Sequence, residues 1–116
     1  MTTSAPTELA WRRVCLFGDL EPARGIAVLV GGRRLAVFRS LGGRLHCLAD
    51  RTMPTGTRLS AGRLAEIGGS PTVIFRDSRQ RVDARTGICV TDPALTTRAY
   101  PARAIGGVVE VAIPPL

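Results

Sequence analysis

Few side chains in this sequence could do covalent or metal chemistry. There is one histidine, His46, and there are three cysteines, Cys15, Cys47 and Cys89. A metal centre or a thiol nucleophile would have to be built from these four. His46 and Cys47 are adjacent, so on a strand they point to opposite faces and cannot share an ion. The cysteines lie far apart, form no CxxC pair and are odd in number, which predicts free thiols in a reducing compartment. Each stands among Val, Leu or Ile, where a cysteine behaves as a small buried hydrophobe. A Ser-His-Asp arrangement fails because nothing in the sequence identifies a partner to orient His46. Asp83 heads the stretch Asp83-Ala84-Arg85-Thr86-Gly87, where its carboxylate is expected to organise a turn rather than perform acid–base work.

The remaining chemistry is cationic. Sixteen basic residues, all arginine, stand against nine acids and leave a net charge of +7. Such an excess favours an acidic partner, protein or nucleic acid, although genomic base composition alone could account for arginine replacing lysine. A small basic β-barrel that binds single-stranded nucleic acid is the weaker alternative. Trp11, Phe17, Phe38, Phe75 and Tyr100 are scattered and offer no stacking platform. No apolar run exceeds Ile26 to Val30, far short of the roughly 20 residues that cross a bilayer. Met1 to Ala10 lack the charge and apolar core of a secretory signal, so the expected location is the cytoplasm, with no membrane partner.

The elements that must position these residues are strands. The length, 116 residues, suits one domain over 10–116 behind a flexible tail, 1–9. Glycine pairs at 31–32, 42–43, 68–69 and 106–107 supply the positive φ of two-residue hairpin turns, and branched residues flank them. Strands are predicted at 11–17, 26–30, 33–38, 45–49, 64–67, 72–75, 81–84, 88–90, 98–104 and 108–113. Eight prolines and thirteen glycines interrupt any helical period. The fold class is therefore all-β, an antiparallel sandwich or small barrel built from hairpins. Two stretches resist the strand pattern: a long loop at 50–62 and a shorter one at 76–80.

Those two loops carry a family resemblance. Thr52-Met53-Pro54-Thr55-Gly56-Thr57-Arg58-Leu59 keeps the glycine and leucine of a CPHxGxxL loop, and Phe75 to Gly87 keeps the DxxTG end of a CPxHGxxFDxxTG loop. With Tyr100-Pro101 before the last glycine pair, the chain resembles a Rieske-type domain over about residues 11–113. In that family a cysteine and a histidine from each loop hold a [2Fe–2S] cluster. The corresponding positions here are Thr52, Pro54, Phe75 and Ser78. Proline and phenylalanine offer no donor atom, and neutral hydroxyls are poor ligands for a soft cluster. The resemblance thus implies a scaffold whose ligands are gone and a chain that binds no cofactor of its own. A Rieske-type ferredoxin that carries electrons is the alternative that fails on these ligands.

A cluster-free Rieske-like chain of this length is similar to the small-subunit family of cytoplasmic NADH-dependent nitrite reductases. That resemblance implies a non-catalytic subunit docking on a large subunit that carries FAD, an iron–sulfur cluster and sirohaem and reduces nitrite to ammonium. It leaves open that only the fold is shared. Arg51, Arg58, Arg76 and Arg79 are the expected docking residues, in a basic rim that also includes Arg81 and Arg85; a solvated set of hairpin charges would give the same sequence. Phe75 either fills the space of the missing cluster, packed on Pro54 and Leu59, or is the inward end of strand 72–75.

Overall fold

The computed structural model describes residues 10–52, 56–76, 78–92 and 94–114. The strands are β1 (Ala10–Leu16), β2 (Gly25–Val30), β3 (Arg33–Arg39), β4 (Leu45–Ala49), β5 (Arg63–Ile67), β6 (Ser70–Ile74), β7 (Arg81–Asp83), β8 (Ala99–Tyr100), β9 (Ala102–Ile105) and β10 (Val108–Ile113). Between them, the described residues form two short 3-10 turns, Phe17–Asp19 and Leu59–Ala61. The sheets run β1-β10-β9, β2-β3-β4-β8 and β5-β6-β7, antiparallel throughout. This is the all-β antiparallel architecture expected from the glycine pairs and branched residues. The expected tail, 1–9, lies outside the described residues.

Three glycine pairs close two-residue hairpins. Positive φ at both members joins Val30 to Arg33, Ile67 to Ser70 and Ile105 to Val108. The fourth pair does not. Only Gly43 has positive φ, and the β3–β4 connection is a longer loop in which Ser40 Oγ accepts the Arg44 N–H at 3.0 Å. A serine side chain substitutes there for a backbone partner, which widens the turn.

Two other expectations fail for identifiable reasons. The predicted strand 98–104 is broken at Pro101, which has no N–H to give a ladder. Its halves join different sheets: β8 pairs with β4, and β9 pairs with β10. The predicted strand 88–90 makes only isolated bridges, Val82 to Cys89 and Ile88 to Thr96. Too few consecutive ladder bonds form there to build a strand.

The middle sheet is covered on both faces. Along β3, Ala36 and Phe38 enter a core shared with Leu48, Leu59, Leu64, Val73, Val82 and Cys89. Leu35 and Val37 enter a second core with Cys47, Val109, Val111 and Ile113. Period-two alternation therefore sends successive residues of one strand into opposite cores. Phe38 is fully buried and lies directly opposite Gly25, where an added Cβ would come within 2.5 Å of its ring. The ring thus covers the backbone of the β2 edge, and its burial contributes about 2–3 kcal/mol. The first core, beneath Leu59, is the one that holds the two loops.

Candidate functional site

The loop from Asp50 to Gly62 is stapled at its base by a buried carboxylate. Asp50 is 1% exposed. Its carboxylate accepts hydrogen bonds from Ser60 N–H at 2.6 Å, Ser60 Oγ at 2.9 Å and Arg34 Nε at 2.9 Å. Its backbone carbonyl accepts the Leu59 N–H at 3.0 Å. Arg51 and Arg58 then face each other across an antiparallel bridge, Thr52 N–H donates to Thr57 O at 3.0 Å, and Gly56 N–H donates to Thr52 O at 2.7 Å. The loop closes on itself through its own polar groups, and the 3-10 turn that follows drops Leu59 into the first core.

The second loop leaves β6 after Ile74, so Phe75 stands just beyond the strand rather than at its inward end. Its ring is half-buried, packed on the core that contains Leu59 and close to Gly62. Pro54, its other expected neighbour, lies outside the described residues. Full burial would have made Phe75→Ala cost about 3–5 kcal/mol. With the ring half-exposed, the expected loss is about 1–2 kcal/mol in urea unfolding, and a loss near zero would show that the ring is not packed.

The side chains at the four ligand positions do not fit a [2Fe–2S] cluster. Thr52 is completely buried, Phe75 has no donor atom, and Ser78 Oγ accepts the Gln80 N–H at 3.0 Å. Iron in such a cluster requires thiolates or neutral imidazoles. Those groups lie elsewhere. Cys47 points into the second core, where burial pushes its thiol pKa up to about 12. Burial also raises the Cys15 thiol, helped by the carboxylate of Asp19. Cys89 sits in the first core with Sγ 3.2 Å from Thr91 Oγ1. Burial pushes its pKa up, but hydrogen bonds from Thr91 and nearby backbone outweigh this and leave it lowered. Among the described residues no three of His, Cys, Asp and Glu converge as a metal site.

His46 lines a separate cleft of about 370 Å³ with Arg85 and Tyr100. Its pKa is lowered chiefly by burial, so the imidazole is neutral at pH 7. Arg85, expected in the basic rim, lines this second cleft. Its guanidinium donates to Ser70 Oγ at 2.9 Å and lies 3.9 Å from Asp83 Oδ1. Asp83 does organise its turn, accepting the Arg85 N–H at 2.8 Å.

Arg51, Arg58, Arg76 and Arg79 are all exposed. Arg76 also lines a cleft of about 540 Å³ with Arg24 and Arg63, flanked by Gly25, Gly62 and Phe75. Arg51, Arg58 and Arg79 do not line it. Arg24 and Arg63 were not expected from sequence. They belong to distant segments joined by an isolated bridge and by the Leu64 N–H donating to Ala23 O, so no local spacing marks them.

A protein-family profile described as a Rieske-like [2Fe–2S] domain matches residues 10–112. The nitrite reductase (NADH) small subunit of Salmonella typhimurium is 29% identical over 103 residues, covering 87% of this chain and 95% of that protein. A solved structure described as an NADH-dependent nitrite reductase small subunit from Mycobacterium tuberculosis superposes with a TM-score of 0.84. It is 29% identical and covers 93% of this chain and 98% of its own. The nitrite reductase [NAD(P)H] large subunit of Klebsiella oxytoca is 31% identical over 103 residues, which span 87% of this chain but only 11% of that protein.

Proposed function

The chain belongs to the Rieske-like [2Fe–2S] domain family, and from that membership we propose that it is the non-catalytic small subunit of an NAD(P)H-dependent nitrite reductase, acting in the reduction of nitrite to ammonium. The observation that carries this reading is end-to-end similarity to nitrite reductase small subunits, 87% of this chain against 95% of the Salmonella protein. The Klebsiella match supports the partnership, because a domain like this one forms part of a chain named a large subunit. Fusion into one chain raises the effective concentration of two domains for each other, so it brings together the same pair that separate subunits join by docking.

The reduction needs six electrons and redox cofactors. FAD, an iron–sulfur cluster and sirohaem belong to the large subunit in this reading, and the small subunit holds none. Electron carriage in the manner of a Rieske ferredoxin would need cluster ligands, and Thr52, Pro54, Phe75 and Ser78 cannot supply them. What the chain contributes is a docking surface, through Arg51, Arg58, Arg76 and Arg79, in a cytoplasmic complex. No helix among the described residues is long and apolar enough to cross a membrane.

The test is co-expression with the nitrite reductase large subunit of the same organism. A stable complex should co-purify, and NADH oxidation dependent on nitrite should fall when the small subunit is omitted and return when it is added back. Full activity without it, together with no co-purification, would end the proposal.

A further inference from the structure

We propose that the cleft bounded by Arg24, Arg63 and Arg76 is the seat for an acidic segment of the large subunit, whose carboxylates would sit between the three guanidiniums. This rests on the small-subunit reading above and names the surface that reading requires. The cleft measures about 540 Å³, and among the described residues none that lines it is acidic. Arg24 and Arg63 face each other across an antiparallel bridge. Like charges placed directly opposite in a ladder repel, a cost that the exposed Glu21 beside Arg24 offsets only in part and that a docked carboxylate would relieve.

The local backbone bears this out. Ala23 is the one described residue other than glycine with positive φ, at 70°. Its N–H donates to Arg39 O at 2.7 Å, its carbonyl accepts the Leu64 N–H at 2.8 Å, and Arg24 N–H closes the turn on Glu21 O at 3.1 Å. An alanine held in the left-handed region is strained, and the strain is maintained by bonds that set Arg24 beside Arg63. The cleft walls are close-packed as well. A Cβ at Gly62 would come within 2.7 Å of Ile74 O and of a Val73 methyl, so the backbone of the first loop lies flush against β6.

The guanidiniums are available. Arg63 and Arg76 have no ion-pair partner among the described residues. Arg24 touches Glu21 at 3.4 Å with both side chains largely exposed, a contact that a docking carboxylate displaces at little cost. Arginine forks bind carboxylates in paired hydrogen bonds, and half-buried Phe75 and Ile74 give apolar contact for the stem of a glutamate. Phosphates would satisfy the same forks, but a nucleic acid would also need stacking rings, and Phe75 is the sole aromatic among the described lining residues.

The experiment measures binding of the full chain to the purified large subunit at low and high salt. Arg24→Glu, Arg63→Glu and Arg76→Glu should each weaken binding by on the order of tenfold, with the loss shrinking as salt rises. Arg12→Glu, on exposed β1 surface away from the cleft, should leave affinity within about twofold. Circular dichroism confirms that the variants fold. Wild-type binding with all three variants unchanged would overturn the cleft while leaving the small-subunit reading standing. No wild-type binding at all would overturn both. If the variants lost affinity for an oligothymidylate probe but not for the large subunit, the acidic-protein assignment would be wrong.

Discussion

Asp50→Ala is expected to lower the free energy of unfolding by about 3 kcal/mol. The carboxylate is buried and accepts from Ser60 N–H, Ser60 Oγ and Arg34 Nε. Removing it leaves the part-buried Ser60 N–H without its partner, and an orphaned buried donor costs about 1–3 kcal/mol by itself. Hydrogen bonds to a charged acceptor are roughly twice as strong as neutral ones, which accounts for the rest. The arginine contributes less than the geometry suggests, because its side chain is 47% exposed and solvent screens the pair. Arg34→Ala should therefore cost under about 1 kcal/mol, and Asp50→Asn should fall between the two. Urea unfolding orders the three variants, and amide exchange should accelerate at Leu59 and Ser60 only where Asp50 is changed. Equal losses for Arg34→Ala and Asp50→Ala would mean that the ion pair, not the backbone staple, holds the loop.

That staple explains how the first loop keeps its shape with no cluster ligands in it. In a cluster-bearing relative, metal bonds would tie the loops together. Here the loop is closed at its base by Asp50, at its neck by the bridge between Arg51 and Arg58, and beneath by Leu59 in the core. Hydrogen bonds and apolar burial do the work of coordination, so the loop still presents its arginines on a fixed backbone. In the proposed docking role, a partner would meet a surface already organised, with little ordering entropy left to oppose binding.

The parts of this arrangement that depend on local chemistry were legible in the sequence. Gly31-Gly32, Gly68-Gly69 and Gly106-Gly107 specify their turns because two consecutive positive φ values suit little else. Asp83 was legible as a turn former because its carboxylate reaches an amide two residues away. The rest depends on contacts between distant segments. Nothing around Asp50 signals that its partners are Arg34 and Ser60. The sequence places Arg76 in a rim with Arg79 and Arg85 and gives no sign that it lines a cleft with Arg24 and Arg63, or that Arg85 bonds Ser70 beside Asp83. Tertiary placement of a long exposed side chain leaves no periodic trace. Residues 98–104 carry β bias on both sides of Pro101, and only the pairing of the halves with different partners, β4 and β10, makes its missing N–H a strand break.

Gly87→Ala should be more damaging still, at about 4 kcal/mol, because two independent penalties meet at one atom. Gly87 has φ +80, which costs an alanine about 1–2 kcal/mol. Its missing Cβ would also lie 2.4 Å from Thr97 O and 2.9 Å from Thr97 C, a collision with backbone that no rotamer relieves. Overpacking of this kind costs about 1–3 kcal/mol. The segment that would have to retreat is tied in place: Thr97 N–H donates to Gly87 O at 2.8 Å, and Thr97 Oγ1 donates to Ala49 O at 2.8 Å. Ala49 precedes Asp50, so movement at residue 87 is transmitted to the base of the first loop and should weaken binding to the large subunit as well as stability. Gly107→Ala separates the two penalties. It has φ +79 with nothing within 4 Å of the added carbon, so it should cost only the backbone term, about 1–2 kcal/mol. At several degrees per kcal/mol, melting temperatures of the two variants should differ by on the order of 10 °C. If they coincide, the contact with Thr97 exerts no force, and the final glycine of the Asp83–Gly87 turn is there for its φ alone.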